Sequence, residues 1–313
     1  MAEAKNTKGG ANQLRTVLIL SLSAVVLVAA GTIIALRAIT PQYPDRTPSN
    51  EILVDAQWLE DNLDSVVILD SARSNDDFLN GHIPGAALVG RSTTWDTVEG
   101  IAGMLPDPEV VAQDLADAGV SNDTPVVVYD AGNGLWASRL FWALEYLGHS
   151  NVHLLDGGFA SWQEAGKEVA TTPQVPQRGD FTANPQPLLI ADKDYLIENL
   201  GNEQLAILDT RSPDEYTGVD VRAERGGHIP TSINIEWTQN LNQAGSFKTF
   251  SELADLYESA ISGETGPAVT LCQTGVRGAH TYVVLRTLGH NQARVYDGSW
   301  AEWGNDPGTP IDL

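Results

Sequence analysis

Cys272 is the one cysteine in a chain of 313 residues, and its neighbours give it chemical promise. It directly follows the apolar run Ala268–Leu271, which reads as a buried strand. Gln273, Thr274, Gly275, Val276 and Arg277 come next, and a helical pattern follows. Open α/β sheets bind ligands at the carboxyl ends of their strands. A loop of this length curls so that successive backbone N–H groups point inward and form a concavity for anions. The positive end of the following helix and the Arg277 guanidinium add to that field. Such surroundings lower a thiol from about 8.5 to roughly 3.5–7.5 and favour the nucleophilic thiolate. A lone cysteine is often only a small buried hydrophobe. The strand–Cys–x4–Arg–helix context is what argues for a nucleophile.

The elements that must position this loop occur twice. Val66–Val89 (VVILDSARSNDDFLNGHIPGAALV) is echoed by Leu205–Ile235 (LAILDTRSPDEYTGVDVRAERGGHIPTSINI), and Pro125–Gly166 by Pro267–Asn305. Leu-Gly-His begins at Leu147 and Leu288, and Asp-Gly-Gly/Ser at Asp156 and Asp297, each pair 141 residues apart. A period this long means duplicated domains rather than a solenoid. Each copy alternates short apolar runs with helical patterns, so the fold class is α/β, two tandem domains each with a parallel sheet flanked by helices. Strands are predicted at Val66–Leu69, Val126–Tyr129 and His153–Leu155, and again at Leu205–Leu208, Ala268–Leu271 and Arg294–Tyr296. Helices are predicted at Phe250–Ile261 and Ala279–Leu288. In the first copy the strand end carries Asp130 in place of cysteine, and by count Leu135 stands where the second copy has Arg277. A carboxylate cannot carry sulfur and repels an anion, so the first copy is expected to be silent. Its expected role is to cover the second copy's cleft, with Trp136 and Arg91 contributing.

Composition narrows the partners. With 18 Lys+Arg against 41 Asp+Glu, the net charge of −23 excludes a nucleic-acid-binding face, which has to be basic. One cysteine excludes an internal disulfide and any Cys-rich zinc or iron–sulfur centre, and no metal-type cluster of His or carboxylates is visible; no metal and no cofactor are expected.

Residues 16–36 are a 21-residue uncharged stretch bracketed by Arg15 and Arg37, long enough to cross a bilayer as one helix. A cleavable signal peptide, followed by secretion, is the rival, although its apolar region is usually only about 7–15 residues long. Lys5, Lys8 and Arg15 precede the segment, so the N-terminus is expected in the cytoplasm and both domains on the periplasmic or extracellular side of a bacterial membrane. The resulting organisation is a cytoplasmic N-terminus at 1–15, an anchor or signal segment at 16–40, a Pro-rich tether at 41–49, an inactive domain at 50–166, a linker at 167–187 and a catalytic domain at 188–313.

Two copies of LD-x-R, GHIP, strand–active loop–helix, LGH and DGG/S-x-x-x-W resemble a tandem-domain rhodanese, a thiosulfate sulfurtransferase, over about residues 50–305. In that family the inactive domain carries Asp where the active one carries Cys, as at Asp130. The resemblance implies that the Cys272 thiolate takes a sulfane sulfur from a small anionic donor, becomes a persulfide and passes the sulfur to cyanide or a thiol. It also implies that the amides of Gln273, Thr274, Gly275 and Val276, with Arg277, hold the anion. Rhodanese-related phosphatases use five residues between Cys and Arg, and that spacing fails here. The runner-up is a 3-mercaptopyruvate sulfurtransferase. Those enzymes place an arginine after the D-x-R motif to hold the substrate carboxylate, and Glu215 stands there by count. Arg222 and Arg225 lie on a longer insertion and are candidates to compensate, and Trp237 is a candidate for the pocket mouth. An anchored persulfide carrier or redox-sensing module is the reading from another class. His82 and His228 in GHIP, and Trp300 and Trp303, read as structural.

Overall fold

The structure, a computed structural model, describes residues 52–261 and 266–313. The anchor and tether expected at 16–49 lie outside the described residues. The first half runs β1 (Leu53–Val54), α1 (Ala56–Asn62), β2 (Val67–Ser71), α2 (Asn75–Asn80), β3 (Ala87–Val89), the antiparallel hairpin β4 (Asp96–Val98) and β5 (Ile101–Met104), α3 (Pro108–Asp117), β6 (Val126–Tyr129), α4 (Leu135–Tyr146), β7 (Val152–Leu155) and α5 (Gly158–Glu164). The second runs β8 (Ile190–Ala191), α6 (Lys193–Glu198), β9 (Ala206–Asp209), α7 (Pro213–Tyr216), β10 (Ile233–Asn234), α8 (Phe250–Tyr257), β11 (Ala268–Leu271), α9 (Val276–Thr287), β12 (Ala293–Tyr296) and α10 (Ser299–Trp303).

Each half is a five-stranded sheet with every pair parallel, in the order β1-β7-β6-β2-β3 and, correspondingly, β8-β12-β11-β9-β10. The middle strands β6 and β11 are buried at every residue, as a parallel strand covered on both faces must be. This explains why Val126–Tyr129 and Ala268–Leu271 read as continuous apolar runs without alternation. Local signals set the helix starts: Asp55 caps α1, and capping boxes at Ser212–Glu215 and Thr249–Glu252 open α7 and α8.

The halves share one core. The central helices α4 and α9 pack on each other. Leu140, Phe141 and Leu144 join Tyr282, Val283 and Leu285 in a single apolar cluster that runs from Ile52 to Val295. Each fully buried aliphatic or aromatic side chain contributes roughly 1.5–3 kcal/mol, so this seam holds the two sheets in a fixed relation.

Candidate active site

β11 is the middle strand of its sheet, and Cys272 leaves its carboxyl end only 1% exposed. The chain then turns through Gln273 and Thr274 to Gly275, whose left-handed backbone at φ 74° starts α9. A Cβ there would stand 2.8 Å from Arg139 Nη1, so both conformation and space require glycine. The helix begins earlier than expected, at Val276 rather than Ala279, which puts Arg277 on its first turn rather than in the loop. Gly278 sits where a Cβ would press on the backbone of Leu271, which lets α9 start close against β11. The Thr274 N–H points at Cys272 Sγ, 3.4 Å away.

The first half shows what such a turn is shaped to hold. Asp130 follows β6 as Cys272 follows β11. Its Oδ1 accepts N–H groups from Gly132 (2.9 Å) and Gly134 (3.1 Å), and its Oδ2 from Trp136 (2.9 Å) and Ala137 (3.2 Å). A carboxylate thus sits in the cup, held by four amides. Gly134 and Gly275 both open their helices in the left-handed region. The first half's loop is therefore one residue longer, and Trp136, not Leu135, corresponds to Arg277. This corrects the count made along the sequence.

Two carboxylate–guanidinium relations shape the second half's site. Arg277 donates from Nη1 and Nη2 to the two oxygens of Glu215, at 2.6 and 2.8 Å. Glu215 is buried, and Arg222 Nη1 approaches it at 3.4 Å. Burial alone would raise the Glu215 carboxyl, but the bonds and charge of Arg277, the Ser212 N–H and the Arg222 charge bring it down to about 2. Burial likewise opposes the Arg277 charge, yet Glu215 and the Cys272 sulfur raise its pKa above the ordinary arginine value. The cation at the site is therefore already paired.

The other expected pocket residues divide. Arg222 is half-exposed, bonded also to Asp220, and its carbonyl accepts from Gln273 Nε2 at 3.0 Å, so it lies at the loop. Arg225 does not. Its guanidinium is held by the carbonyls of Trp303, Gly304, Asp306 and Thr309 and by the Thr309 hydroxyl, which fasten it to the C-terminal turn. Its placement in the pocket is corrected on that ground. Trp237 opens a 3-10 turn and meets the His280 ring edge-on at 5.1 Å. Arg91 stacks over Trp136 at 4.3 Å beside the first half's own loop. The part of the first half that lies on Thr274 is instead the hairpin residue Gly103, which leaves no room for a Cβ against it. His82 and His228 are matched structural residues, bonded to the carbonyls of Phe78 and Tyr216 and stacked on those same rings.

Sequence reasoning missed three buried groups around the loop. Arg139 donates to Asp297 at 2.6 Å, Asp297 also accepts the Leu105 N–H at 2.7 Å, and the Ser299 hydroxyl lies behind Cys272. The DGG/DGS pair marked Asp297 and Ser299 as repeat positions; nothing local marked Arg139.

The chain belongs to the rhodanese family: the rhodanese-like domain matches it twice, over residues 55–165 and 192–306. It is 34% identical to the thiosulfate sulfurtransferase of Azotobacter vinelandii over 236 residues, covering 75% of this chain and 87% of that one. It is 34% identical, with the same shares covered, to the thiosulfate sulfurtransferase of Pseudomonas aeruginosa. The crystal structure of SseA from Escherichia coli, described with the 3-mercaptopyruvate sulfotransferases, superimposes with a TM-score of 0.71 at 28% identity, over 80% of this chain and 99% of that one. A structure of EanB with ergothioneine linked covalently to a cysteine persulfide gives a TM-score of 0.76 at 25% identity, over 86% and 71%.

Proposed function

We propose that this chain is a thiosulfate sulfurtransferase in which Cys272 carries the sulfur. The thiolate attacks the outer sulfur of thiosulfate, a Cys272 S–S bond forms, and sulfite leaves with the electron pair of the broken bond. Cyanide or a thiolate then attacks the outer persulfide sulfur, and the Cys272 thiolate departs with the pair. The observation that carries this reading is the pairing of a reactive residue type with a turn whose counterpart cradles a carboxylate in four amides. The near-complete burial of Cys272 favours a small donor over a bulky one.

Glu215 favours thiosulfate over mercaptopyruvate. Held ionised and bonded to both outer nitrogens of Arg277, it would repel a substrate carboxylate at the place where that carboxylate needs an arginine. Arg222, half-exposed and shared with Asp220 and Glu215, is the second guanidinium offered to donor oxygens, and Trp237 is the proposed residue at the pocket edge. Residues 16–36 are proposed as a membrane anchor that holds both domains outside the cytoplasm, on the strength of the flanking Lys5, Lys8 and Arg15.

The test is direct. Protein incubated with thiosulfate should gain the mass of one sulfur atom, lose it on addition of cyanide, and turn over in steady state. Cys272→Ser should do none of these. Retained turnover in that variant would remove Cys272 from the mechanism, and a sulfur adduct without turnover would favour a carrier.

A further inference from the structure

Ser299 is buried and strained: it is 0% exposed, and its φ of 50° lies in the left-handed region that favours glycine. Its counterpart 141 residues earlier is Gly158, with φ 57° in the same turn. The silent half therefore uses the residue that adopts this backbone freely, and the half with the cysteine does not. A Cβ at Gly158 would run into the Asp130 carbonyl and come within 2.9 Å of the Gly132 amide. In the second half that space holds a hydroxyl. Ser299 Oγ accepts the N–H of Cys272 at 3.1 Å and the N–H of Gly275 at 3.1 Å, and donates to the Tyr296 carbonyl at 2.8 Å.

The two halves solve one problem in two ways. In the first, the Gly134 amide is accepted by the carboxylate of Asp130 itself. In the second, that carboxylate has been exchanged for a thiol, and the equivalent Gly275 amide needs another acceptor. An unpaired buried amide is costly, so the exchange is tolerated where an outside oxygen arrives. A hydroxyl has one proton and two lone pairs. Here the proton goes to Tyr296 and both lone pairs to the loop, so the hydroxyl has nothing left for a substrate.

We infer that Ser299 is the positioning residue of the catalytic loop, bracing both of its ends from behind in place of the carboxylate that the silent half uses. The inference rests on the reading of Cys272 as sulfur carrier. Strain persists where the surrounding structure over-determines it, and such sites cluster at functional centres.

The experiment compares full-length wild type with Ser299→Gly and Ser299→Ala. Glycine removes the hydroxyl and relieves the backbone, and Gly158 shows that this turn accepts it; alanine removes the hydroxyl and keeps the strain. In both, amide hydrogen exchange at Cys272 and Gly275 should accelerate by about tenfold or more while the interior of α9 stays protected. In both, kcat/KM for thiosulfate should fall by about tenfold or more. Turnover within about twofold of wild type in both variants would overturn the inference. So would unchanged exchange at the two amides, or loss of protection throughout the domain, since Ser299 would then be supporting the fold at large. Cys272→Ser, run alongside, separates the two claims. Activity retained there refutes the sulfur-carrier reading, while the exchange data still decide whether the serine braces the loop.

Discussion

Arg139 and His280 occupy the same position in the two halves, 141 residues apart, and each reaches across the seam into the other half. Arg139 donates to Asp297 in the second half, and also to the carbonyls of Thr94 and Gly103 in its own. His280 meets the Asn133 carbonyl of the first half at 3.2 Å. The acids at the strand ends repeat the pattern: Asp297 accepts the Leu105 N–H and Asp156 accepts the Phe247 N–H. Duplication thus produced a near two-fold seam in which one side holds an ion pair and the other a neutral ring.

The ion pair fastens the hairpin of the first half over the Cys272 loop, because the Arg139 guanidinium donates to the Gly103 carbonyl and to Asp297 together. Arg139→Met leaves the Asp297 charge buried without its partner, and losing one member of such a pair costs about 3–5 kcal/mol. Urea unfolding should show that loss. The double variant Arg139→Met with Asp297→Leu should recover part of it. A single variant as stable as wild type would mean the pair does not hold the seam.

His280 predicts acid sensitivity. Burial, partly offset by the Asn133 carbonyl, pushes its pKa from 6.5 down to about 3. The ring is neutral in the fold, between Phe247 and Trp237. A depressed histidine means that the unfolded chain binds the extra proton between those two values. Its stabilising contribution is therefore complete above about 6.5 and is lost as pH falls toward about 3. In His280→Phe the thermal midpoint should depend less on pH across that window than in wild type. Parallel curves for the two proteins would count against it.

The sheet cores and the active loop were legible because their signals are local: buried apolar strands ending in Asp130 or Cys272, and motifs repeated at 141. Three strands, Leu53–Val54, Ile190–Ala191 and Ile233–Asn234, are two residues long and carry no readable period. The hairpin at 96–104 is short and interrupted by Gly100 and Gly103, and the Thr274 contact reveals what it covers. The offset between Leu135 and Arg277 needed the two left-handed glycines to be seen in place. Glu215 was visible as a departure from the family pattern, but its grip on Arg277 arises from a contact 62 residues away in sequence.

Asp130 gives a prediction that separates stability from chemistry. Asp130→Ala leaves four backbone amides of the first half's cup without their acceptor. Charge-assisted hydrogen bonds contribute about 1.5–3 kcal/mol each and are not additive, so a destabilisation of roughly that size or somewhat more is expected. Turnover per folded molecule should stay near wild type, because the proposed sulfur carrier, Cys272, sits in the other half. A collapse of turnover at a temperature where circular dichroism shows intact protein would instead give the first half a part in the reaction.

The proposed anchor predicts topology. Protease added to intact spheroplasts should digest both domains, given Lys5, Lys8 and Arg15 on the retained side. Protection until lysis would reverse the orientation, and release of the domains without detergent would favour cleavage after the apolar segment.

Arg277 is already held by Glu215 through two of its five N–H groups, so any role toward the donor falls to its remaining donors and to its charge. Because the Glu215 pKa lies near 2, below the ordinary carboxylate value of 4.5, the pair's contribution is complete above about 4.5 and is lost only as pH falls through about 2. An acid limb of the rate profile with an apparent pKa above about 4 is therefore not the titration of Glu215. Arg277→Ala removes both charge and fork and leaves Glu215 with Ser212 and the more distant Arg222. With about 1.5–3 kcal/mol at stake, kcat/KM for thiosulfate should drop roughly 10- to 150-fold. Arg277→Lys keeps the charge but cannot grip the carboxylate with a planar fork, so it should fall between. If the alanine variant keeps wild-type kinetics and loses only stability, Arg277 serves to neutralise a buried glutamate. The Thr274 amide, which points at Cys272 Sγ from the loop that Ser299 braces, would then hold the anion without it.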